Sequence, residues 1–199
     1  MYGRIFRPFP IGPFTIVPEG ETAGSPEGIP IILGKKGAFG SGEHETTIAC
    51  LEELARLPGL AGATALDLGS GTGILAVAAA RLGAGCVVAL DNDWRAAISC
   101  LDNARLNGLA GRVTTVCGEL ACLAATCFDL VLANIYADIH LLLAADMVAM
   151  TRPGGHLILS GIPLQDKFDV QQAFLRRGCA LLDSRIGEDY ATFVMKRER

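Results

Sequence analysis

Asp67-Leu68-Gly69-Ser70-Gly71-Thr72-Gly73 joins two stretches of different character. The run before it, Ala63–Leu68, is short and apolar and reads as a buried strand. The run after it, Thr72–Leu82, is rich in Ala, Leu and Ile and is closed by Gly83, which predicts a helix. Working outward, CVVAL at 86–90 is a second strand and Trp94–Asn107 a second helix, ended by Gly108. Val113–Cys117, Phe128–Ala133 and His156–Ser160 repeat the strand pattern. Helices are expected at about Ile139–Thr151 and Gln165–Arg177, and Leu181–Ile186 and Tyr190–Lys196 flank a tight turn at Gly187–Asp189. Upstream, Thr46–Leu57 places Ile48, Leu51, Leu54 and Ala55 on one helical face before Pro58 and Gly59 stop it. Strands alternating with helices at this spacing predict an α/β, doubly wound and mostly parallel sheet with an antiparallel hairpin at its C-terminal edge.

The first 36 residues have another texture. Six of the nine prolines lie there: Pro8, Pro10, Pro13, Pro18, Pro26 and Pro30. Proline removes ladder donors and fixes φ, so Phe14–Val17 and Ile29–Leu33 read as edge strands of a loop-rich arm. The expected organisation is an arm over 1–36 and one α/β domain over 37–199.

Composition narrows the class. Of 199 residues, 51% are apolar and 19% charged, which excludes intrinsic disorder. A net charge of −4 argues against a broad basic surface for nucleic acid. The mean hydropathy of +0.40 is high, yet no apolar run approaches a membrane span, and MYGRIFRPFP lacks the apolar stretch of a secretory signal. The seven cysteines are scattered, and the spacing of five between Cys117, Cys122 and Cys127 fits no usual metal pattern. They read as reduced core thiols of a cytoplasmic protein without a bound metal.

In such a sheet, ligands bind where a strand runs into the next helix. Glycines there allow a tight turn and close approach of backbone to ligand, and the helix start presents free N–H groups. The glycines fall at 69, 71 and 73, and Ile74 stands where a dinucleotide fingerprint wants its third. Asp67 ends the strand just before the loop, where it would suit a ligand amine and not a pyrophosphate. Asp91 ends the next strand, where a carboxylate accepts ribose hydroxyls. Two acids at adjacent strand tips, flanking this loop, point to a nucleoside ligand.

This combination resembles the class I S-adenosylmethionine-dependent methyltransferases from about Ala63 to the C-terminus. The resemblance implies a Rossmann-like, seven-stranded sheet with S-adenosyl-L-methionine as cofactor. Gly69 and Gly71 would lie against its methionine part, Asp91 against the ribose and Glu119 close to the adenine, although Glu119 also reads as a plain loop carboxylate. A narrower resemblance rests on Gly37-Ala38-Phe39-Gly40-Ser41-Gly42-Glu43-His44-Glu45-Thr46-Thr47, on Asn134-Ile135, and on PIGPFTIVP at 10–18. Together these resemble the PrmA family, methyltransferases of ribosomal protein L11. Carried over by position, Thr47, Gly69, Asp91 and Asn134 would bind the cofactor, and Phe39, Gly40 and His44 would line the loop that closes on it. Ser41 replaces the family's threonine, and Tyr136 stands where an aliphatic residue is usual. The ~35 residues before the motif are too few for the family's separate N-terminal substrate domain.

Methyl transfer from a sulfonium to an amine asks chiefly for exclusion of water and a positioned neutral amine. Asn134 is the candidate for orienting the nucleophile, since its amide oxygen accepts N–H bonds without favouring the charged ammonium. Tyr136 either walls the acceptor channel or packs as a partly buried ring. His44 either helps position or deprotonate the amine, or stabilises its own loop. His140 and His156 read as surface or strand residues, and Trp94 as packing. The leading expectation is N-methylation of a protein amine, lysine, on a ribosomal protein-like substrate. A small amine, a nucleic-acid base and a catalytically silent, partnering role are the alternatives. Asn134 is followed by Ile-Tyr-Ala and not by prolines, which disfavours the base.

Overall fold

The computed structural model describes residues 7–21, 28–34, 38–123 and 127–199. Pro26, Gly37 and the expected boundary at 36/37 lie outside them. In chain order the elements are β1 (Phe9–Ile11), β2 (Phe14–Pro18), β3 (Ile29–Leu33), α1 (Glu45–Arg56), β4 (Thr64–Leu68), α2 (Ile74–Arg81), β5 (Cys86–Asp91) and α3 (Trp94–Leu106). There follow β6 (Val113–Cys117), β7 (Phe128–Asn134), α4 (Ala137–Met150), β8 (Thr151–Pro163), α5 (Lys167–Leu175), β9 (Cys179–Ile186) and β10 (Tyr190–Arg197).

Among the described residues the main sheet has seven strands in the order β6-β5-β4-β7-β8-β10-β9. Pairing is parallel from β6 to β8, and β10 runs antiparallel to both β8 and β9. This is the Rossmann-like sheet with a C-terminal antiparallel hairpin that the alternating texture predicts. The side-chain period of two splits the core into two layers. Ala65, Leu130, Leu132 and Ile158 face α1, α2 and α3, whereas Leu66, Val131, Ala133 and Leu157 face α4 and α5. Both faces being covered explains why these strands read as continuous apolar runs. Ile74 to Ala80 of α2 are all buried, which is why this helix is apolar on every side.

The N-terminal segment departs from expectation. β1, β2 and β3 form a separate three-stranded sheet with β2 in its middle, antiparallel to β1 and parallel to β3. Phe14, Ile16 and Ile31 are fully buried and join the same core layer as α1 and α2. The prolines obey the ladder rule: Pro10 and Pro30 lie in the two edge strands and Pro18 closes the middle one. The edge-strand reading therefore holds for β3 and fails for β2.

A further difference concerns the cysteines. Cys50, Cys100 and Cys179 are buried thiols, with burial pushing Cys50 up to about 12, but Cys86, Cys117, Cys122 and Cys127 are exposed. No helix among the described residues is long and apolar enough to cross a membrane.

Candidate functional site

The glycine loop leaves β4 and turns back at once. The Gly69 and Ser70 N–H groups both donate to the Leu90 carbonyl, at 2.8 and 3.1 Å, so the loop is pinned to the neighbouring strand. Gly71 has φ of 54°, and a Cβ there would run into the Phe39 carbonyl. Gly73 has φ of 78° and caps α2, with Cys100 filling the space a Cβ would need. That left-handed cap is why α2 begins at Ile74 and not at Thr72.

Asp67 is only 1% exposed. Its Oδ2 accepts the Ala76 N–H at 3.0 Å in the first turn of α2, where a carboxylate favours the helix dipole. Burial pushes its carboxyl up to about 7, against the Ala76 bond, and the Asp91 charge adds to the rise. Buried and bonded to Ala76, Asp67 underpins the loop from beneath.

Asp91 is half-buried at the tip of β5. Oδ2 accepts the Gly71 N–H and Oδ1 the Asp93 N–H, both at 2.9 Å. Each carboxylate oxygen keeps a further lone pair for a hydroxyl donor. The Asp91 carbonyl also accepts the Gly118 N–H at 2.9 Å, which brings the exposed Glu119 to the same tip. Trp94, expected to pack, is 66% exposed at the start of α3.

The upstream segment lies on the glycine loop. Thr72 N donates to the Phe39 carbonyl at 2.9 Å and Thr72 Oγ1 to the Gly40 carbonyl at 2.6 Å. Phe39 is 59% exposed and meets His44 edge to face at 5.5 Å; His44 in turn meets Tyr190 at 5.2 Å. His44 is itself the N-cap of α1, its Nδ1 accepting the Thr46 N–H at 3.4 Å and lying 2.9 Å from Thr46 Oγ1. His44 thus caps α1 and ties down its own loop, while Thr46 and Thr47 follow inside the helix.

Those threonines are buried for another reason. Asn134 Nδ2 donates to Thr47 Oγ1 at 3.4 Å, joining the end of β7 to α1. Ile135 N donates to the Ser160 carbonyl at 3.1 Å, and its side chain packs on the bare face of Gly69. A Cβ at Gly161 would strike the Ile135 carbonyl and approach Asn134 Oδ1. Tyr136 precedes α4 and is 78% exposed, so the packed-ring reading does not hold. The structure thus brings Gly69, Gly71, Asp91, Phe39, Gly40, Thr47 and Asn134 to one edge of the sheet, where β4, β5 and β7 end.

A family model for ribosomal protein L11 methyltransferase (PrmA) matches residues 2–198. The chain belongs to the PrmA family. A curated PrmA relative from Halorhodospira halophila is 44% identical over 171 residues, 85% of this chain and 57% of that protein. Another, from an Exiguobacterium species, is 37% identical over 92% of this chain and 59% of its own length. The chain spans just over half the length of these curated relatives. A crystal structure of the ribosomal protein L11 methylase from Lactobacillus delbrueckii subsp. bulgaricus superposes with a TM-score of 0.88 at 27% identity, covering 98% of this chain and all of that one. A Thermus thermophilus 16S rRNA methyltransferase in complex with AdoMet and guanosine, 22% identical with a TM-score of 0.68, shares the fold; the match covers 82% of this chain and 46% of that one.

Within this PrmA chain, several site residues escape sequence reasoning. Thr72 is hidden inside the glycine motif, although a Thr flanked by glycines is itself a signal for a side chain bonded to neighbouring backbone. Gly161 and Tyr190 come from β8 and β10, far along the chain from these motifs. His140, expected at the surface or in a strand, is a fully buried residue of α4.

Proposed function

We propose that this chain is the catalytic unit of an S-adenosylmethionine-dependent N-methyltransferase acting on lysine amines of a protein, with a ribosomal protein as substrate. Such a substrate puts the reaction in the cytoplasm. The observation that carries the reading is the meeting of Asn134 with Thr47, beside a glycine loop tied to Asp91.

The residues fit the cofactor. Gly69 and Gly71 offer bare backbone at the loop tip, Asp91 keeps free lone pairs for hydroxyls, and the exposed Glu119 lies at the same tip. S-adenosylmethionine supplies the methyl group as a sulfonium, a leaving group that needs no acid catalyst. The chain's own work is to bind, to exclude water and to orient the amine. Asn134 donates to Thr47 through Nδ2, which fixes the amide plane and leaves Oδ1 to accept an N–H of the incoming amine. A carboxylate there would hold the amine as an unreactive ammonium. Phe39 and Gly40, bonded to Thr72, roof the loop, and Tyr136 walls the acceptor side. His44 gives Nδ1 to its helix cap and presents its ring to the entrance between Phe39 and Tyr190.

Radiolabelled S-adenosylmethionine with purified ribosomal protein L11 tests the reading, with protease and nuclease controls. Label in lysine of the protein supports it; label that resists protease or is lost to nuclease overturns it. Asn134→Ala is expected to lower kcat by about 10²-fold, with a much smaller loss of cofactor affinity, because orientation of the amine is what the amide chiefly supplies.

A further inference from the structure

His140 lies in the first turn of α4 and is 0% exposed. Its Nε2 is 2.9 Å from the Ser160 carbonyl. A carbonyl only accepts, so Nε2 carries the proton and Nδ1 is bare. Nδ1 is fully buried and meets no hydrogen-bond partner among the described residues, while the ring packs edge-on against Phe174. Burial pushes His140 down to about 4, which keeps the imidazole neutral. An apolar residue would fill this place without leaving a buried acceptor unpaired.

The Ser160 carbonyl explains the histidine. The same oxygen accepts the Ile135 N–H at 3.1 Å, and Ser160 stands opposite Asn134 in the β7–β8 register. The Ser160 hydroxyl lies 2.6 Å from Thr192 Oγ1 and donates to the Thr46 carbonyl at 3.3 Å, one residue before Thr47. Ser160 is therefore the joint between β7, α1 and β10, and His140 grips it from α4.

We propose that His140 is a positioning residue, donating to the Ser160 carbonyl to orient the acceptor of the Ile135 N–H and so hold the Asn134 amide against Thr47. The catalytic consequence rests on the role proposed above for Asn134; the positioning itself does not.

The test combines three readouts. In the unmodified chain, imidazole ¹⁵N shifts must show the proton on Nε2 at near-neutral pH; the opposite tautomer overturns the proposal. His140→Leu removes the donor, and His140→Gln returns an N–H near the place of Nε2. In His140→Leu, amide exchange at Ile135 is expected to rise about tenfold relative to Leu132, with the Asn134 side-chain amide resonance displaced. His140→Gln restores both. With S-adenosylmethionine and ribosomal protein L11, His140→Leu lowers kcat about tenfold per folded site and leaves KM for S-adenosylmethionine unchanged. Unmoved Ile135 and Asn134 signals in folded His140→Leu overturn the proposal, as does a His140→Gln variant equally perturbed. If the parent transfers no methyl group to protein, the proposed function fails, and the tautomer and the Ile135 exchange still decide the part played by His140.

Discussion

The Gly71 N–H donates to the Asp91 carboxylate across 2.9 Å, so the tip of β5 and the glycine loop are joined by a charge-assisted bond. Asp93 N occupies the other oxygen. Asp91→Ala therefore removes the shared anchor of two backbone donors together with the candidate ribose acceptor. S-adenosylmethionine affinity is expected to fall about 100-fold, which titration calorimetry would read. Undiminished affinity would take Asp91 out of the cofactor site.

Thr72 latches the upstream segment through its hydroxyl, which donates to the Gly40 carbonyl at 2.6 Å. Thr72→Val keeps the shape and loses the donor, leaving that carbonyl without its partner. Unfolding free energy is expected to drop by about 1 kcal/mol, and amide exchange over residues 38–44 to quicken. Thr72→Ser, which retains the hydroxyl, should stay close to the parent in both.

The features legible in the sequence are those written locally. Gly69, Gly71 and Gly73 announce their turn because only glycine tolerates the positive φ found there. The parallel strands announce themselves because both faces are covered. By contrast, the N-cap of α1 is easily misread because Thr46 and Thr47 are favoured cap residues, whereas tertiary contacts with Ser160 and Asn134 draw them inward. His140 sits in ADIHLLLAADM, where apolar residues surround the helix and no single buried face can be assigned. The β1–β2–β3 sheet is masked by proline density, since a proline reads alike in a loop and on a sheet edge. Asn134 and Ser160 are paired across strands, a relation with no local trace.

Two buried groups oppose one another in the pH dependence of stability. Asp67 is pushed up from 3.8 to about 7. The folded state thus binds its proton more tightly, and stability falls as pH rises through that window. His140 is pushed down from 6.5 to about 4, so the unfolded chain protonates first and stability falls as pH drops through its window. Each is worth about 3–4 kcal/mol, and between about pH 4 and 6.5 the slopes cancel. Relative to the parent, Asp67→Asn is expected to gain about 3–4 kcal/mol from pH 4 to 7. Relative to the parent, His140→Gln should gain as pH falls from about 6.5 to 4. Urea unfolding across the range reads both, and relative stabilities that do not change with pH would contradict the burial of these two groups.

Glu45 fastens the β9–β10 turn to the start of α1. Its Oε2 accepts the Glu188 N–H at 2.8 Å and its Oε1 the Asp189 N–H at 3.1 Å, and Tyr190, the next residue, meets the His44 ring. Arg185 pairs with Glu52 further along the same two elements, so the hairpin has a second tie. Glu45→Ala should therefore leave the fold intact, costing only about 1 kcal/mol because the turn is solvent-exposed. Its effect is expected at the entrance, where Tyr190 loses its fixed place beside His44. KM for the protein substrate should rise several-fold while S-adenosylmethionine affinity stays constant, since Gly71 and Asp91 are bonded independently of the hairpin. Glu45→Gln keeps one acceptor oxygen and should fall between the parent and the alanine variant. Steady-state kinetics with each substrate varied in turn would separate the two effects, and an equal loss of both affinities would place the hairpin at the cofactor instead.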